Sequence, residues 1–213
     1  MTTTSPSSFA AARLDRLSSE LVAYRLRRPL SDGRTAITLT PLELLDRLAA
    51  TPVVFGVSGY SGAGKKASRK NDPEVLRDNL LPYTLVDHIH EREVTRHLGR
   101  KIRFLPHVAP FFRGISLSIA LELDSEVRAG ELLKHYSAHY SNAPLIEVQE
   151  PIPEVRDVRN THRVLIGGFA VSQADPRRVS LVCVLDNLLK GAATQALQNL
   201  NLAFGLEPLA GIE

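Results

Sequence analysis

Three apolar runs, at residues 114–123, 163–173 and 178–185, limit the fold more than any other feature of the chain. Each is apolar in part on both of its faces, as strands covered from two sides are. Further strands are read at 53–58, 101–105 and 145–149. Strands mostly follow strands instead of alternating with helices, which predicts an α+β fold with a mixed, largely antiparallel sheet covered by helices. A sheet of about five to seven strands is expected. One face should carry the helices read at 125–140 and 188–204. The other should meet a second subunit.

Local signals fill in the rest. Thr40-Pro41-Leu42-Glu43 combines an N-cap, a proline in the first turn and a capping box, and predicts a helix to about Ala50. A short helix is expected at 74–81, and another at 91–98 that stops at Gly99. Residues 1–8 have no apolar period and are expected to be disordered. Phe9, Leu14, Leu17, Leu21 and Val22 mark an amphipathic helix over 9–28. Its Ser, Thr and Arg content also suits a mitochondrial transit peptide, against which stand Asp15 and Glu20. A plain surface or docking helix is the alternative. The expected organisation is a leader with two helices (1–50), a main domain (51–186), and the closing helix and tail of that domain (187–213).

Composition narrows the function classes. Hydrophobic residues at 44% and charged residues at 23% exclude wholesale disorder. No apolar run approaches the ~20 residues needed to cross a bilayer. A net charge of +3 suits an anionic small substrate as well as nucleic acid, while 6% aromatics and no tryptophan argue against stacking on single-stranded nucleic acid. The single cysteine, Cys183, allows no intramolecular disulfide and no multi-cysteine metal site. It lies mid-strand and reads as an inert small hydrophobe.

Gly59 to Lys65 satisfies G-x-x-x-x-G-K after a strand, the spacing of a phosphate loop. Two features oppose that reading. Lys66 stands where a magnesium-binding hydroxyl is needed, and the next ten residues are polar and interrupted by Pro73, so no helix N-terminus is offered to phosphate. The alternative is a glycine-rich turn whose backbone amides bind some anion.

His88-Ile89-His90-Glu91-Arg92-Glu93 is the densest titratable cluster. Histidines two apart cannot share a helix face, but one can precede a helix that carries the other. His90 and Glu93 can meet along one turn, where a carboxylate orients an imidazole for acid–base work. An exposed pair of little consequence, or a metal site, are the other readings. Pro106 and Pro110 pin His107 and Arg113, the latter an anion clamp or a solvated arginine. Lys65, Lys66, Arg69 and Lys70 form either a solvated loop or a source of positive potential for a phosphorylated ligand. Asn187 caps a helix or binds a ligand amide, and Gly191, Ala192 and Ala193 allow close backbone approach.

The segments VFGVSGYSGAGKK, PYTLVDHIHEREV, FLPHVAPFFRGI, VLIGGFAV and LDNLLKGAATQALQNLNLAFG succeed one another in that order. Together they resemble N-acetyl-gamma-glutamyl-phosphate reductase of arginine biosynthesis over roughly residues 53–212. The wording is closest to the fungal version, made as a mitochondrial precursor shared with acetylglutamate kinase. The resemblance overrides the phosphate-loop reading and implies a glyceraldehyde-3-phosphate dehydrogenase-like C-terminal domain. It implies NADP(H) as cofactor and an acyl-phosphate substrate, reduced to N-acetylglutamate semialdehyde through a cysteine thioester. On this basis His90 is the acid–base partner, with His88, Glu93 and Tyr83 beside it. Ser58, Gly59, Ser61 and Gly62 form the substrate turn, with His107 and Arg113 assisting the anionic groups. Asn187, Lys190 and Gly191 face the cofactor. No metal is expected.

The family carries a dinucleotide-binding domain and a Pro-Gly-Cys nucleophile ahead of these motifs, whereas residues 1–50 contain no cysteine and a single glycine, Gly33. The expectation is therefore a fragment: the C-terminal catalytic and dimerisation half behind an unrelated leader, inactive alone. A non-catalytic dimerisation or regulatory homologue is the alternative. Expected partners are a second copy or a full-length reductase, and acetylglutamate kinase, with no nucleic acid and no membrane. The expected location is the mitochondrial matrix, otherwise the cytoplasm.

Overall fold

The computed structural model describes Leu44 and residues 46–212. The helix expected at 9–28 lies outside the described residues, as does the first part of that at 41–50. Leu44 and Asp46 are helical, and Leu48 already forms an extended bridge to Leu123.

The chain then runs through twelve elements: β1 (Val53–Gly59), α1 (Pro73–Leu76), β2 (Leu81–Pro82), α2 (Ile89–Leu98), β3 (Arg103–Ala109) and β4 (Ile115–Glu122), then α3 (Ala129–His139), β5 (Ile146–Val148), α4 (Val155–Val158), β6 (Val164–Val171), β7 (Arg178–Leu185) and α5 (Thr194–Ala203). The strands form one sheet of seven in the order β2-β3-β1-β4-β7-β6-β5. Pairs β1–β3 and β5–β6 are parallel and the rest antiparallel, the mixed, largely antiparallel sheet read from the sequence.

The core follows from the period of two along the central strands. Leu117, Ile119 and Leu121 of β4 stand opposite Cys183, Leu181 and Val179 of β7, and all six are buried on one face. Leu132 and Tyr136 of α3 and Val94 of α2 cover them. Among the described residues the other face is largely open, with Ser118, Ala120 and Ser180 exposed. Only a small cluster of Val158, Leu165 and Val184 lies at one end, under α4.

The closing helix departs from its expected place. α5 buries Thr194, Gln195, Gln198 and Asn201, leaves Leu200 and Phe204 exposed, and does not join the core. A π turn at Leu189–Ala193 precedes it. Such a turn adds a residue to the helical repeat and re-phases the helix beyond it, so the polar face turns inward.

Replacing Ile119 by Ala should lower stability by about 2–5 kcal/mol through a cavity. Its exposed neighbour Ser118→Ala should stay within about 0.5 kcal/mol. Urea midpoints at constant slope check both. Equal losses would contradict the assignment of faces.

Candidate functional site

β1 ends at Gly59 and passes into a 3-10 turn, Tyr60–Ala63. The amides of Gly59, Tyr60 and Ser61 donate to the carbonyls of Gly114, Phe111 and Phe112 at 2.8, 3.0 and 3.0 Å. These amides therefore bind protein, not an anion. The four-residue turn also leads into no helix, so it lacks the geometry of a phosphate loop. Gly59 is needed for the close approach, since a Cβ there would lie 2.7 Å from the Phe112 carbonyl oxygen. Asn187 fastens the other side: its Oδ1 accepts from Gly114 N at 2.6 Å and its Nδ2 donates to Ser61 Oγ at 2.9 Å.

A cavity of about 420 Å³ opens where this turn meets the start of α2, strand β3 and residues 187–192. Nine of the residues read from the sequence line it: Ser58, Gly59, Ser61, Gly62, Tyr83, His90, His107, Asn187 and Gly191. His88, Glu93, Arg113 and Lys190 do not.

His88 precedes α2 and His90 rides on it. The His88 Nδ1 caps the helix by accepting from His90 N at 3.2 Å, which requires a neutral ring with its proton on Nε2. The two imidazoles lie 4.5 Å apart, and His88 packs edge-on to Tyr83 and Phe104. Burial holds the His88 ring below the ordinary histidine value; Glu91 opposes, Lys70 acts in the same sense and Glu93 opposes. His90 Nδ1 and Glu93 Oε2 are both withdrawn from solvent. Glu91 locks α2 to β3 by accepting from Phe104 N at 2.7 Å. Burial also raises the Tyr83 phenol, which stays protonated. The His107 Nδ1 lies 3.0 Å from the Leu105 carbonyl, an acceptor only, so Nδ1 carries the proton and Nε2 remains for a ligand.

Arg113 is placed differently from an anion clamp. Its Nε lies 3.1 Å from the wholly buried Asp186 carboxylate, and its Nη1 donates to Asn160 Oδ1. Lys190 is buried too: its Nζ donates to Gln195 Oε1 at 2.8 Å and to Gln198 Oε1, and burial lowers its pKa to about 8. The lysine that does line the cavity is Lys70, which the sequence marks only as one of a basic run. Cys183 is completely buried in β7, and burial pushes its thiol up. Among the described residues no three His, Cys, Asp or Glu side chains are grouped to hold a metal ion, and no helix is long and apolar enough to cross a membrane.

The family model described as semialdehyde dehydrogenase, dimerisation domain, matches residues 34–187. The chain is 50% identical over 178 residues to N-acetyl-gamma-glutamyl-phosphate reductase of Xanthomonas oryzae, covering 84% of this chain and 56% of that protein. Identity to the protein of the same name from Xylella fastidiosa is 51%, with 84% and 54% covered. It is also 50% identical to "Protein arg11, mitochondrial" of Schizosaccharomyces pombe, over 83% of this chain and 20% of that one. The chain thus spans about half the length of its bacterial relatives. Among solved structures, aspartate semialdehyde dehydrogenase II of Vibrio cholerae superposes with a TM-score of 0.65 at 20% identity, over 82% of this chain and 61% of that one. This likeness shows a shared fold, consistent with the dehydrogenase-like C-terminal domain read from the sequence.

Two measurements probe the site's framework. Asn187→Ala strands the Gly114 amide and should cost about 1–3 kcal/mol, with faster hydrogen exchange at Gly114; Asn187→Asp, which keeps the acceptor, should cost less. The His88 imidazole binds its proton more weakly folded than unfolded. Stability should therefore fall as pH drops below the unfolded value of about 6.5, towards the lower folded one. His88→Asn, a cap that does not titrate, should flatten this fall in urea midpoints, and a ring titration by NMR should place the His88 midpoint below about 6.5.

Proposed function

The chain belongs to the semialdehyde dehydrogenase dimerisation-domain family, and on that premise we propose that it is the catalytic and dimerisation portion of an N-acetyl-gamma-glutamyl-phosphate reductase. The observation that carries this reading is the single cavity shared by His90, Tyr83 and the Ser58–Gly62 turn. The substrate is N-acetylglutamyl phosphate and the product N-acetylglutamate semialdehyde. In this reading His90 is the acid–base group, and Glu93, one turn along α2, orients it. The Ser58, Ser61 and His107 side chains position the substrate's polar groups. Arg113 acts from behind, pairing with Asp186 and so fixing the junction that carries Asn187.

NADPH supplies the hydride when bound. Leu188, Gly191 and Ala192 give the cavity an apolar wall of mostly small residues, which fits the flat face of a nicotinamide ring. Lys190 acts indirectly, holding that wall through Gln195 and Gln198. The open sheet face around Ser118, Ala120 and Ser180 is assigned to a second copy of the chain. Acetylglutamate kinase, which makes the acyl phosphate, is the further partner, and the name of the fission-yeast relative supports the mitochondrial matrix as location.

The reaction needs a thiolate, and Cys183 in its apolar strand does not supply one. The reading assigns the nucleophile and the dinucleotide-binding domain to the remainder of an enzyme of the relatives' length. The same buried thiol favours a second reading, a non-catalytic dimerisation or regulatory partner.

Joining residues 51–213 to the N-terminal portion of the Xanthomonas oryzae relative separates the two. In the reverse assay, with N-acetylglutamate semialdehyde, phosphate and NADP⁺, the joined protein should turn over. His90→Ala should cut the rate by about 10²–10⁴-fold. The 213-residue chain alone should show no turnover. A folded but inactive joined protein would establish the second reading, and turnover by the chain alone that Cys183→Ser abolishes would show the nucleophile to be Cys183.

A further inference from the structure

The basic stretch after the glycine turn is built, not merely solvated. The Asn71 side chain gathers it: Nδ2 donates to the carbonyls of Gly64 and Lys66, both at 2.8 Å, and Oδ1 accepts from Ser68 N at 2.8 Å and Ser68 Oγ at 3.2 Å. Asp72 then caps α1, its Oδ1 accepting from Glu74 N at 2.9 Å. The clamp sorts the four cations. Lys65, Lys66 and Arg69 are exposed, whereas Lys70 is half-buried. Its Nζ stands 4.5 Å from the centroid of the Tyr83 ring.

Lys70 is also the one lysine or arginine lining the cavity among the described residues. Arg113 is committed to Asp186, and no ion pair ties Lys70 to a carboxylate among the described residues. The ring face of Tyr83 takes one side of the ammonium, which leaves N–H groups for an oxygen ligand. Its positive charge already weighs against protonation of His88, as expected of a cation beside that cluster.

We propose that Lys70 holds the oxyanion of the cavity's ligand, a phosphate or a carboxylate, against the wall of Tyr83 and His90, and that Asn71 is the residue that positions it. The proposal deepens the acyl-phosphate reading and rests on it for the ligand's chemistry. Lysine suits the role because its compact charge and three rotatable donors accept either oxyanion shape.

The test uses the full chain with labelled histidines, titrated by NMR with inorganic phosphate and separately with N-acetylglutamate. Both should give saturable shifts of the His90 ring. Lys70→Met and Lys70→Gln should weaken binding about tenfold, the loss of one charge-assisted contact. Lys70→Arg should bind within about threefold of the unmodified chain, since charge is kept. Asn71→Ala should weaken binding by releasing the loop, and adding Lys70→Met to it should cost less than Lys70→Met alone. Saturable binding that ignores Lys70→Met and Lys70→Gln would overturn the proposal, as would no saturable shift with either probe. Phosphate binding that needs Lys70, with no response to N-acetylglutamate, would keep the Lys70 site and count against the substrate reading. N-acetylglutamate binding that is indifferent to Lys70 would do the reverse.

Discussion

A carboxylate with no access to solvent sits at the end of the central strand β7, and the site depends on how it is satisfied. Asp186 Oδ1 accepts from Leu188 N and Leu189 N at 2.9 and 3.2 Å, and Oδ2 accepts from Asn160 N at 2.9 Å beside the Arg113 guanidinium. Burying a charge is expensive unless it is both paired and hydrogen-bonded, and here it is both. These bonds fix where the chain leaves the sheet and how it enters the π turn. Asn187, the next residue, therefore points at one place, between Gly114 and Ser61. Glycine turn, Gly114 bend and helix entrance are thus one unit, joined by two adjacent side chains.

That unit explains what could be read from the sequence and what could not. The strands β4 and β7 were legible as apolar runs between turns, whereas the one buried face of Leu117, Ile119 and Leu121 against Val179, Leu181 and Cys183 came only with the structure, because the runs are apolar in part on both faces. Helix α2 was legible from its stop, since Gly99 adopts the left-handed conformation at the C-cap. Of the cavity's residues, His90, His107 and Asn187 were marked by their local spacing, and the Ser58–Gly62 turn and Tyr83 took their roles from a family resemblance. Arg113 was read as an anion clamp because its partner, Asp186, lies far along the chain, and an ion pair across the sheet leaves no local trace. α1 stops at Leu76, not at 81, because Arg77 already turns extended and Asp78 takes a positive φ. β2, two residues long, carries no period at all.

The basic stretch after Gly64 shows a different limit. Its composition is that of a solvated loop, and hydropathy alone cannot tell it from one. The order comes from a single amide, Asn71, whose bonds to Gly64, Lys66 and Ser68 close the stretch on itself. Side-chain-to-backbone bonds of this kind replace secondary structure where no ladder is available. A sequence reading sees the asparagine and the lysines, but not which lysine the closure turns inward.

The polarity of the wall facing the cavity follows from these arrangements. His88 is kept neutral by burial and by the lone pair it must offer to the α2 N-terminus. Arg113 and Asp186 cancel each other behind the wall. Lys190 is turned away, onto two glutamines that carry no charge. Among the described residues, what remains facing the cavity is one ammonium, Lys70, over the ring of Tyr83, with His90 in the same lining. A half-buried ammonium is less screened than one in bulk water, which strengthens its attraction for an oxyanion. With Arg113 paired to Asp186 and Lys190 turned onto its glutamines, Lys70 is the cation that the described lining presents, and it is the fold, through Asp186 and Asn71, that does the pairing and the aiming.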